Sequence, residues 1–235
     1  MRFVLTFLIV PLCCFNLHAK MLWSDASFTY LNGSNYQVGD NKREVYTFEH
    51  AAKTSWGDSF LFIEQLQSNN GDKQIYGEIS PRFELLQLDN SVADGLFVAT
   101  TVEFSQQNLH DGAGSEFTHY LLGLGTKFTP EYFTFVNLNL YKRFNDSGDS
   151  NYQLTLAWAL PFDNWLYDGF IDYASAVSGK SPTMNFTSQL KYNLASLLSV
   201  DTKVFLGIEY VFWNDKFGID GVNERNANLL VKVHF

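Results

Sequence analysis

The chain has 235 residues with 16 basic against 25 acidic side chains, a formal net charge of −9. That balance argues against nucleic acid as a partner, because phosphate contacts need clustered Lys and Arg. Phe, Tyr and Trp make up 17% of the chain, with 22 Phe and 12 Tyr, while the mean hydropathy is only −0.11. Such a chain is rich in residues that suit strands and membrane interfaces and poor in the long apolar runs that make membrane helices.

In chain order, residues 1–19 come first. Arg2, an apolar stretch over 3–15 and the exit Leu17-His18-Ala19 read as a secretory signal peptide, too short to span a bilayer. Both cysteines, Cys13 and Cys14, lie within it, so the exported part is expected to lack disulfides and thiolate chemistry. The residues before them, Val10-Pro11-Leu12, lack the small residue that a lipid-modified cysteine wants beside it.

From residue 20 onward the sequence has a rhythm. About ten residues of alternation are followed by a break rich in Gly, Asn, Asp, Ser or Pro. Twelve such segments are expected: 22–31, 44–53, 59–67, 74–86, 96–105, 116–128, 132–144, 151–160, 165–176, 183–193, 202–213 and 226–235. Their lengths suit membrane strands, which need roughly 9–11 residues. The last segment alternates Ala227, Leu229, Val231, Val233 and Phe235 with Asn228, Lys232 and His234. A terminal aromatic on such a strand is a mark of outer-membrane barrels. With no membrane helix in view, a closed antiparallel barrel is the spanning structure that leaves no backbone group unpaired in lipid. The fold class expected is therefore an all-β, twelve-stranded transmembrane barrel over 20–235.

An even strand count puts both termini on one side, and the breaks agree. Longer polar breaks (32–42, 68–73, 106–115, 145–150, 177–182, 214–225) alternate with a set that includes the tight turns 54–58, 129–131 and 161–164. The long breaks are assigned to the outside and the tight set to the periplasm. Two of the latter, 87–95 and 194–201, are longer; 194–200 is apolar enough for a small interfacial helix.

Strand side chains alternate faces, and the apolar set must meet lipid. The lumen is then polar and of mixed charge: Asp25, Glu49, Glu64, Glu78, Arg82, Glu84, Glu103, Lys127, Asp172, Lys191, Glu209 and Lys232. Glu78, Arg82 and Glu84 read as an ion-pair ladder along one strand. The same alternation sends Phe60, Phe62 and Glu64 inward. Trp23, Trp56, Tyr132, Trp165, Tyr192 and Trp213 recur at segment ends, where interfacial girdles sit. Twelve strands lie between the filled eight-stranded barrel and the open porin, so a narrow, charge-lined passage is expected.

Four motifs carry a resemblance. They are Trp23-Ser24-Asp25; Phe48-Glu49-His50-Ala51 followed by Trp56-Gly57-Asp58-Ser59-Phe60; Tyr76-Gly77-Glu78-Ile79-Ser80-Pro81-Arg82; and Asn214-Asp215-Lys216-Phe217-Gly218-Ile219. In order and spacing the chain resembles the Tsx family of nucleoside-specific outer-membrane channels, particularly its OmpK-like branch. The resemblance implies a monomeric barrel in the Gram-negative outer membrane, among its lipids and lipopolysaccharide. It implies passage of nucleosides and deoxynucleosides by facilitated diffusion, and external loops that serve as bacteriophage receptors. Where the motifs match, it places nucleoside contacts at Asp25, Phe60, Glu78 and Arg82; Phe62 and Glu64 join them on the alternation alone. The alternatives are a plugged structural or receptor barrel and a small non-specific porin.

No cofactor, metal or enzyme activity is expected. The histidines show no His-Glu-x-x-His spacing, Gly-x-Ser-x-Gly is absent, and Ser115 and His119 sit at loop and strand positions that could bring them near each other. Asp111-Gly112 and Asp220-Gly221 mark turns.

Overall fold

The computed structural model describes residues 20–88 and 93–235. The leader reading of 1–19, with Cys13 and Cys14, lies outside them, as does 89–92 within one connection.

Twelve strands form where the alternation runs. They are β1 (Met21–Gly33), β2 (Arg43–Thr54), β3 (Gly57–Ser68), β4 (Lys73–Gln87), β5 (Gly95–Asn108), β6 (Gly114–Phe128), β7 (Phe135–Phe144), β8 (Asn151–Phe162), β9 (Trp165–Ala174), β10 (Thr183–Asn193), β11 (Val204–Asn214) and β12 (Glu224–His234). Each pairs antiparallel with its sequence neighbours, and β12 returns to β1, closing the barrel. Within 194–200 lies a short helix, α1 (Ala195–Leu198), and the last loop at the end opposite the termini holds a single 3-10 turn at Lys216–Gly218.

The seam between the first and last strands runs from Ser27 opposite His234 to Gly33 opposite Asn228. Beyond it, the Phe235 amide donates to the Ala26 carbonyl. No sheet edge is left for lipid to meet, which is the condition for spanning. The outer face is apolar: Phe28, Leu122, Leu124, Leu140, Leu206, Ile208 and Leu229 are all exposed. In a water-soluble protein such a belt would be an interface; on a closed barrel it fits hydrocarbon.

The girdle differs from expectation at three positions. Trp56 packs on Phe83, and Trp165 on Phe162 and Tyr192, at the end of the barrel that carries the termini. Trp213, however, shares a face with Glu209, and its ring meets Phe217 at 5.0 Å and the Lys216 ammonium at 4.6 Å. It points inward at the loop end because it holds that loop. Trp23 lies opposite Lys53, on the inward-facing register of Asp25. Tyr132 precedes β7 altogether, in the connection, at φ 75°.

Candidate functional site

Antiparallel partners share a face, so the pairing draws the lumen wall row by row. One row reads Ser27, Glu49, Phe62, Glu78, Glu103, His119 across β1 to β6. The row nearer the loops reads Lys232, Thr29, Thr47, Glu64, Tyr76, Ser105, Phe117. The row nearer the termini reads Asp25, Ala51, Phe60, Ser80, and continues through the Thr101 hydroxyl, which donates to Ser80 at 3.0 Å, to Leu121.

Phe60, Phe62, Glu64 and Glu78 therefore meet on the β3–β4 pair, and their rings begin an aromatic path. Phe60 and Phe62 lie 6.0 Å apart, Phe62 and Tyr76 5.6 Å, Tyr76 and Phe117 6.5 Å, and Phe117 stacks on His119 at 4.3 Å. The path crosses from β6 to β3 as it descends from the loop end toward the termini. Sequence reasoning had only its lower half. Tyr76 falls in a recognised motif and on the inward set, but as a neighbour of Glu78 rather than a ring in a path. Phe117 joins through the register of β6 on β5, which no local pattern states. Gly77, between Tyr76 and Glu78, faces out; a Cβ there would lie 2.6 Å from the Phe104 ring, so glycine lets that ring lie flat on the strand.

Arg82 departs from the expected ladder. It forms a bidentate pair with Asp58 on β3 (2.7 and 2.6 Å) and covers the Phe97 ring at 4.8 Å. The cross-strand register places Asp58 directly opposite Arg82, and a planar guanidinium takes a carboxylate facing it in preference to side chains further along its own strand. No ion pair joins Arg82 to Glu78 or Glu84; Glu78 accepts from the Tyr76 hydroxyl instead, at 2.5 Å. Asp25 sits two strands from Phe60 at the terminal end, paired with His234 at 2.7 Å.

Charge is unevenly matched around this path. Lys232 pairs with Glu49, Lys191 with Asp168 at 2.7 Å and Arg143 with Glu103 at 2.6 Å. Among the described residues Glu64, Glu78, Asp172 and Glu209 have no Lys or Arg partner. Asp172 accepts from Thr155 at 2.5 Å, and Glu209 accepts from Gln189 and Asn228 at 2.9 and 3.0 Å. The lumen thus places aromatic faces beside carboxyl groups that accept hydrogen bonds and pair with no Lys or Arg. His119 does not engage Ser115: its Nδ1 accepts from the Asp146 amide at 2.9 Å, while Ser115 reaches Gln107.

The loop end is tied together by Asp72. It accepts from the His110 amide at 2.9 Å, from the His110 ring at 2.8 Å and from Asn70 at 2.9 Å. These bonds hold its carboxyl down to about 2, and the Asp72 side chain in turn raises His110 above its ordinary 6.5. A raised histidine contributes below its ordinary value and loses its contribution as pH rises through the shifted one; a lowered carboxylate contributes above its ordinary 3.8 and fails only toward 2. The latch is therefore strongest between those two ordinary values. An NMR titration of the His110 ring should show a midpoint above 6.5, returning to that ordinary value in Asp72→Asn.

No family model matches this chain, and no curated protein does. Among solved structures it is similar to the KdgM porin, with a TM-score of 0.52 at 13% identity over 91% of this chain and 99% of that one. A KdgM porin in complex with disordered oligogalacturonate matches at a TM-score of 0.50, with the same identity and coverage. At that identity the likeness shows the fold, and the fold is that of an outer-membrane porin barrel.

Proposed function

We propose that the protein is an outer-membrane channel that passes nucleosides by facilitated diffusion. The aromatic path from Phe117 to Phe60, flanked by Glu64 and Glu78, carries this reading. A nucleoside is a flat base on a hydroxylated sugar. Rings stack bases for roughly 1–3 kcal/mol each, and carboxylates accept from ribose hydroxyls. Several weak sites in series suit a channel, because a solute held tightly would not leave. The resemblance to the Tsx family supports the same reading: its motifs at 56–60 and 76–82 fall on neighbouring strands and supply Phe60, Glu78 and Arg82. An acidic saccharide such as the oligogalacturonate named with the KdgM porin would meet unpaired carboxylates here.

Conductance across planar bilayers tests this. Millimolar adenosine or thymidine should reduce the single-channel current, and glucose at the same concentration should not. Currents indifferent to both nucleosides would overturn the nucleoside reading.

The unpaired acids make a separate expectation. In a KCl gradient the reversal potential should show K⁺ favoured over Cl⁻. Glu64→Gln combined with Asp172→Asn should lower the permeability ratio at least about twofold, since each removes a lumen carboxylate that pairs with no Lys or Arg. An unchanged ratio would mean these carboxylates are not charged in the open channel.

A further inference from the structure

A row of the inner wall breaks the polar rule. Leu230, Leu31, Val45 and Leu66 are register partners across β12, β1, β2 and β3. Each lies one inward step toward the loops from Lys232, Thr29, Thr47 and Glu64, so the row faces the lumen. Leucine and valine facing a water-filled passage cost free energy unless something covers them. What covers them is Tyr36, from the connection between β1 and β2. Its ring packs on Leu31, Val45 and Leu230, leaving the tyrosine 7% exposed and Leu230 at 0%.

The loop is fastened where it enters. The Tyr36 hydroxyl donates to Asn228 at 3.1 Å, the Asn35 amide to Asn226 at 3.1 Å and the Gln37 amide to Glu224 at 2.9 Å. Glu224 also pairs with Lys216 at 2.6 Å, both nearly fully buried. The Arg43 guanidinium lies 5.0 Å from the centre of the Tyr36 ring and donates to the Val38 carbonyl of the same loop. Burial pushes the phenol well above its ordinary range, so the ring stays neutral there.

We infer that Tyr36 and its loop form the constriction of the channel, and that this side chain sets the size of solute admitted from the loop end. The inference rests on the channel reading, and the test separates the two. Tyr36→Ala should raise single-channel conductance at least twofold and admit larger sugars in liposome swelling. Tyr36→Phe, which keeps the ring and loses only the hydroxyl, should conduct as the unaltered protein does. Gln37→Pro removes an amide that fastens the loop and should act in the direction of Tyr36→Ala. A heat-dependent shift in gel mobility checks that each barrel is closed. As a readout independent of current, Thr47→Cys, placed with Cys13→Ser and Cys14→Ser, puts one thiol a step below the ring. A cationic methanethiosulfonate should modify it at least fivefold faster when Tyr36→Ala is added.

Equal conductance in the unaltered protein and Tyr36→Ala would overturn the constriction and leave the channel reading standing. If neither conducts but the thiol reacts faster in Tyr36→Ala, the loop is a plug and the channel reading falls. If neither conducts and the thiol reacts equally, both fall.

Discussion

Phe62→Ala should raise the nucleoside concentration that halves the current by about 5- to 30-fold, with the unblocked conductance little changed. Phe62 has ring neighbours on both sides, 6.0 Å from Phe60 and 5.6 Å from Tyr76. It also stands opposite Glu78, so a base stacked on it leaves its sugar within reach of a carboxylate. Losing one stacking face costs about 1–2 kcal/mol, and about 1.4 kcal/mol is tenfold in affinity. Phe117→Ala should act in the same direction and Phe162→Ala should not, because Phe162 lies among the outward-facing rings near Trp165. Equal effects from Phe62→Ala and Phe162→Ala would show that the aromatics act on the fold and not on the solute. Arg82→Ala is a poorer probe than its motif suggests. It leaves Asp58 without a partner, so its first effect is on the terminal end of the barrel.

The largest loss of stability should come from Gly123→Val. Gly123 lies on the inner face of β6 between its cross-strand partners Ala99 and Tyr141, which cluster with Leu121. A Cβ there would stand 1.8 Å from the Leu140 carbonyl oxygen and 2.8 Å from the Tyr141 Cα. Backbone atoms cannot swing aside as a flexible side chain does, so β6 and β7 must separate. We expect a loss of about 3 kcal/mol, at the upper end of what overpacking costs, read as a lower urea midpoint for unfolding in detergent or vesicles. Gly112→Ala supplies the contrast. Its φ of 87° strains a side chain, but nothing lies within 4 Å of the added carbon, and the cost should stay near 1 kcal/mol. If the two variants unfold together, the close approach at Gly123 is not a constraint.

The strands were legible in the sequence because a membrane barrel writes its pattern on both faces. Lipid forces one set of side chains to be apolar, the lumen permits the other to be polar, and the breaks between carry turn residues. Strand limits accordingly fall within a few residues of the expected ones, and the small helix over 195–198 lies inside the apolar break. The site was legible only within a strand. Phe60, Phe62, Glu64 and Glu78 follow from alternation on β3 and β4, whereas Asp58 as the partner of Arg82 and Phe117 as the top of the aromatic path depend on register between strands. Trp213 misled because an aromatic at a strand end has two uses, at the lipid interface or over a folded loop. The loop carrying Tyr36 left a trace after all: Leu31, Val45, Leu66 and Leu230 are apolar residues on the inward set, and an inward apolar residue needs a cover.

The seam of the barrel has a consequence for how it is made. Every other strand pair forms between neighbours in sequence, but Ser27 must find His234 and Thr29 must find Lys232. Pairing across so much chain is slow, since the loop-closure entropy is lost before any contact compensates for it. Until it happens, β1 and β12 each present a row of unpaired amides and carbonyls that hydrocarbon will not accept. Entry into the bilayer and joining of the first strand to the last are thus one kinetic event. The side chains at the join, Lys232 on Glu49 and His234 on Asp25, tie β12 to the first two strands once the barrel has closed.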